Sequence, residues 1–98
     1  MGAASFVVVS KGKSATEAFN NAVTDAYSQH GNSGYTGSIA EKPGFVMIDV
    51  PTEYKTTPFT YISELIDNDD PRIEDKWGLA GCIDAGMGEY IFFGWAST

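Results

Sequence analysis

The pattern of apolar and polar positions divides the chain into four strand-like and two helix-like segments. Ser5-Phe6-Val7-Val8-Val9-Ser10 is short, rich in β-branched residues and followed by Lys11-Gly12-Lys13, which predicts a first strand. Its unbroken apolar character predicts a central place in the sheet. Ser14-Ala15-Thr16-Glu17 has the S-x-x-E spacing of a capping box and predicts a helix start. Ala15, Ala18, Phe19, Ala22, Val23, Ala26 and Tyr27 then recur at three- and four-residue steps, with polar residues between them. His30 and Gly31 supply the stop.

Residues 31–44 form a glycine-rich stretch without sustained periodicity. A loop of this length in so small a domain is uncommon. Its Tyr35 and Ile39 are more than a solvated linker needs, so it is read as functional. Phe45 to Val50, stopped by Pro51, reads as a second strand whose apolar side chains point inward. Thr57-Pro58 suits a helix start, and Phe59, Ile62, Leu65 and Ile66 give one apolar stripe running to about Asp67. Residues 80–84 and 90–96 read as closing strands joined by a five-residue connection containing two glycines. The order β-α-β-α-β-β predicts an α+β fold, drawn most economically as a two-layer sandwich: a mainly antiparallel four-stranded sheet with both helices on one face.

With 98 residues the chain has room for one domain. No apolar run reaches a membrane-spanning length, and the flanks of Phe6 to Val9 do not suit a signal peptide, so a cytoplasmic location is expected. The single Cys82 excludes an internal disulfide framework and a multi-cysteine zinc site. On its apolar strand it is expected to be buried and inert. Thirteen acids against six bases leave a net charge of -7, which disfavours nucleic acid as a direct partner.

That charge is segregated. Glu64, Asp67, Asp69, Asp70, Glu74 and Asp75 face only Arg72 within twelve residues. Asp67 and Asp69 fit the first two ligand positions of a calcium loop, but Pro71 occupies the third, which excludes an EF-hand. The glycines at 31, 34 and 37 follow a predicted helix, the reverse of a phosphate-binding loop, and lack its G-x-G-x-x-G or G-K-S/T signature. No metal or cofactor is expected. The six acids, with Tyr35 and Glu41, are the candidate contacts for a protein with a basic surface. The alternative is a small enzyme or ligand-binding domain using His30, Tyr35, Thr36 and Glu41, which would have to converge on one concave pocket.

Gly34-Tyr35-Thr36-Gly37, Ile39-Ala40-Glu41-Lys42, Asp75-Lys76-Trp77-Gly78, Ala80-Gly81-Cys82 and Phe92-Phe93-Gly94-Trp95-Ala96-Ser97 together resemble small uncharacterised proteins of bacteriophages and related bacterial mobile elements. The resemblance spans about residues 14–97. It implies an accessory protein that binds, and in some cases blocks, a host protein, and it transfers no catalytic residue.

Overall fold

The computed structural model describes residues 2–31 and 34–98; Asn32 and Ser33 of the glycine-rich loop lie outside it. Its elements are β1 (Ala3–Lys11), α1 (Ala15–His30), a 3-10 turn (Ile39–Glu41), β2 (Phe45–Met47), a second 3-10 turn (Thr52–Tyr54), α2 (Pro58–Asp67), β3 (Ala80–Gly86) and β4 (Glu89–Ser97). The fold is α+β. Its sheet has the order β1-β4-β3-β2. β4 runs antiparallel to both neighbours, whereas β2 and β3 are parallel, so the sheet is mixed.

Local chemistry sets the ends of α1. Ser14 caps it by accepting from the Glu17 N–H at 3.2 Å, while the Glu17 carboxylate reaches back to the Lys13 N–H at 3.2 Å. Two donors with no partner inside the helix are thereby satisfied. At the other end Gly31 turns the chain with φ 75° and donates to the Tyr27 carbonyl at 2.8 Å. The β3–β4 hairpin is tighter than the sequence suggests. Its strands reach Gly86 and Glu89, leaving only Met87 and Gly88, both at positive φ, in the turn. Positive φ at both central residues follows the right-handed strand twist better than a two-residue turn of negative φ would.

Both helices on one face is the expectation that the structure corrects. Cys82 and Phe92 pack with Phe6, Phe19, Ala22 and Ala26 of the first core, whereas their neighbours Ile83, Ile91 and Phe93 pack with Ile62 and Leu65 of the second. Adjacent strand residues point to opposite faces, so α1 and α2 lie on opposite sides of the sheet and make three layers. Strand order explains why. The β1-α1-β2 connection crosses the sheet in one lateral direction, and β2-α2-β3 steps back in the other. Parallel crossovers keep one hand, so reversing direction puts the second helix on the other face.

A second correction concerns β1, which is an edge strand and not a central one. Phe6 is buried beneath α1, but Val7 and Val9, on the opposite face, are 42% and 52% exposed. α2 lies over β3 and β4 and leaves that part of the face uncovered. Two further side chains depart from their expected burial: Tyr27 and Phe59 are exposed. Ile39, placed by sequence in a functional loop, is 1% exposed and belongs to the first core. β2 ends at Met47, although the Ile48 N–H still reaches the Cys82 carbonyl at 2.8 Å. At Gly81 a Cβ would sit 2.6 Å from the Phe93 ring, so this ring covers its cross-strand partner only because that partner is glycine.

Candidate functional site

The described part of the glycine-rich loop is organised around one carboxylate. Glu41 Oε2 accepts from the Thr36 N–H at 3.0 Å and the Thr36 hydroxyl at 2.8 Å. Burial pushes the Glu41 carboxyl up, but these donors prevail and hold it below its ordinary value. The loop is also tied to the sheet by the Gly37 N–H, which donates to the Ser97 carbonyl at 2.8 Å. Tyr35 itself has φ 55°, a left-handed conformation that costs a non-glycine residue energy. Glu41 thus spends its charge on shaping the loop that presents Tyr35.

Tyr35 meets a residue that the sequence reasoning missed. Its ring packs edge-to-face on Trp77 with centroids 5.9 Å apart, and the two residues remain 57% and 55% exposed. The turn beneath Trp77 is fixed by Asp75: its Oδ1 accepts from the Trp77 N–H at 2.8 Å and its carbonyl from the Gly78 N–H at 2.9 Å. Lys76 Nζ lies 5.3 Å from the Trp77 ring centroid and donates to the Gly2 carbonyl at 3.2 Å. Lys42, only 6% exposed, ties the loop side to this turn, its Nζ donating to the Asp75 carbonyl at 3.1 Å. Burial lowers the Lys42 pKa, and the nearby Asp75 charge opposes that shift. The two regions singled out in the sequence, the loop and the acidic segment, therefore meet at one place. The available signal was a tryptophan set in a polar turn at the end of an acid run.

The acids are not equivalent. Asp70 grips Arg72 in a bidentate fork, Nε to Oδ1 at 2.9 Å and Nη2 to Oδ2 at 3.0 Å, and also accepts from the Arg72 N–H. The Arg72 side chain bonds are the main reason its carboxyl is lowered, and the fork raises Arg72 in turn. Glu64 accepts from the Tyr54 hydroxyl at 2.6 Å, which raises the Tyr54 pKa. Asp67, Asp69 and Glu74 are exposed, and Asp69 has φ 51°. Glu64 and Asp75 are exposed as well, but each accepts a hydrogen bond, from the Tyr54 hydroxyl and the Trp77 N–H.

In the alternative set Thr36 and Glu41 are bonded to each other, but the cleft lined by His30 is not lined by Tyr35, Thr36 or Glu41. His30, at the exposed end of α1, lines a cleft with Ser38 and Ile39. Tyr35 instead goes to Trp77, and the nearest partners of Thr36 are Ser38 and Glu41. The Cys82 thiol is fully buried and is pushed up to about 12, chiefly by burial. Among the described residues, no group of three or more His, Cys, Asp or Glu side chains is placed to hold a metal ion, and no helix is long and apolar enough to cross a membrane. No protein-family model, curated protein or solved structure matches the chain.

Proposed function

We propose that the protein is a binding module without catalytic activity, of the phage or bacterial accessory kind, that docks on a host protein with a basic surface. The observation that carries this reading is the exposed Tyr35–Trp77 pair, on segments shaped by the polar bonds of Glu41 and Asp75, at the point where the acidic segment meets the loop. Tyrosine and tryptophan offer large contact area at low entropy cost and dominate binding hot spots. Here the two rings already pack on each other, which reduces the ordering left to be done on binding. Asp67, Asp69 and Glu74 supply the charge that attracts a basic partner and speeds encounter.

The test uses a partner captured from bacterial lysate and then purified. Trp77→Ala removes an exposed ring, so the fold should survive, while affinity should fall at least tenfold, mostly through faster dissociation. Asp67, Asp69 and Glu74 changed together to lysine should slow association, and added salt should reproduce that slowing in the parent protein. Asp70 is left alone in this design because its fork to Arg72 shapes the turn. If both variants are folded and bind with parental rates, the patch is not the interface and the reading fails.

A further inference from the structure

We infer that the edge of β1, which no other strand pairs among the described residues, is a second binding site, one that takes an extended segment of a partner as an added strand with alternating apolar and basic side chains. This goes beyond the Tyr35–Trp77 patch and uses a different surface. β1 pairs with β4 in unbroken register from Ala3↔Ser97 to Lys11↔Glu89. At the two ends the Thr98 N–H donates to the Gly2 carbonyl and the Gly12 N–H to the Gly88 carbonyl, so the even-numbered residues are those bonded to β4. The odd-numbered residues, Ala3 to Lys11, therefore turn their N–H and C=O groups outward along the edge. No proline, bulge or inward charge interrupts β1, and its one charged residue, Lys11, stands at its end.

Beside that edge runs a groove walled by α1. It consists of two cavities of about 480 and 260 Å³ that adjoin, since both are lined by Val9 and Asp25. One extends to Lys11 and Glu89, the other to His30 and Ile39. A strand added to β1 alternates its side chains between the two sheet faces. On one face they meet Val7 and Val9, exposed valines that an apolar residue would cover. On the other they enter the groove at Asp25. Among the described residues the ion pairs are Lys11–Glu89 and Arg72–Asp70, so the Glu89 charge is answered within the chain, whereas Asp25 belongs to neither pair. A lysine or arginine on the added strand supplies the complement. Strand addition takes affinity from main-chain bonds and selectivity from these alternating positions. A second copy of this chain fits less well, because it would bring another Asp25 and a further net charge of -7 to the same seam.

The probe is the labelled peptide acetyl-Val-Lys-Val-Lys-Val-Lys-Val-amide, followed by fluorescence anisotropy at low salt. We expect measurable binding below 1 mM, at least tenfold weaker binding of the glutamate analogue, and a similar loss when alternate backbone nitrogens of the peptide are methylated. Val9→Pro removes an outward N–H at the edge, where proline is tolerated, and should abolish binding. Asp25→Lys should weaken it at least tenfold, whereas lysine at 67, 69 and 74, a threefold larger change in net charge, should weaken it by less than that single substitution, which separates this site from the acidic segment. Absence of binding up to 1 mM, equal binding of the methylated peptide, or a loss confined to the 67, 69 and 74 variant would each overturn the proposal. So would a parent protein that sediments as a dimer and becomes monomeric with Val9→Pro. Methylation of the peptide keeps the edge testable even if Val9→Pro fails to fold.

Discussion

At the scale of single residues, environment decides whether a reactive group is available. Cys82 is fully buried in the first core, and its thiol is pushed up to about 12 by burial, with the Asp84 charge adding to the effect. Thiolate is the reactive form, so almost none is present at neutral pH. Labelling of the native protein by a thiol reagent at pH 7.5 should therefore proceed only as fast as the chain opens, and denaturant should accelerate it by orders of magnitude. Labelling within seconds in native buffer would show that the core around Cys82 is open. Residue type and neighbours made this burial legible in the sequence. The role of Glu41 was not legible, because its bonds to Thr36 depend on the loop returning on itself at Gly37. Trp77 was missed for a related reason. Nothing local to Asp75-Lys76-Trp77 indicates that Tyr35 lies across from it.

At the scale of elements, α1 was the most legible piece, since its cap and its apolar period act within a few residues of each other. Its face can be tested directly. Phe19 contacts Phe45 and Phe92 at centroid distances of 5.3 and 5.6 Å, and those two rings lie 5.6 Å apart, so one aromatic cluster joins α1, β2 and β4. Phe19→Ala should cost about 3–5 kcal/mol, read as a lower urea midpoint at unchanged slope. An unchanged midpoint would mean that α1 packs by some other face. Edge position and helix side were not legible for a different reason. An all-apolar run such as Phe6 to Val9 states that both faces tolerate burial, but not that both are covered. The side taken by α2 depends on strand order, which emerges only when β4 pairs between β1 and β3.

At the scale of the whole molecule, the carboxylates divide into those that hold structure and those that only add to a net charge of -7. Asp70 and Glu41 belong to the first group, both with their carboxyl pKa held below the ordinary carboxylate value in the folded chain. For Asp70 the Arg72 bonds are the main cause; for Glu41 burial acts the other way and the Thr36 N–H and hydroxyl are the chief donors that overcome it. A group whose pKa is depressed by folding binds fewer protons in the native than in the unfolded state. Its stabilisation is complete above the unfolded value and is lost as pH falls through the folded one. Asp70→Asn combined with Glu41→Gln should therefore lower stability at pH 7, and the gap to the parent should close progressively below about pH 4.5. Repulsion among the remaining acids acts differently, because it is spread over exposed groups and is screened by salt. Urea unfolding at pH 3, 4, 5 and 7, in low salt and in 1 M sodium chloride, separates the two. Salt should raise the stability of parent and variant alike near neutral pH while leaving much of the gap between them. A gap of constant size from pH 7 to pH 3 would mean that the substitutions disturbed packing and that neither carboxylate stabilises the fold through its charge.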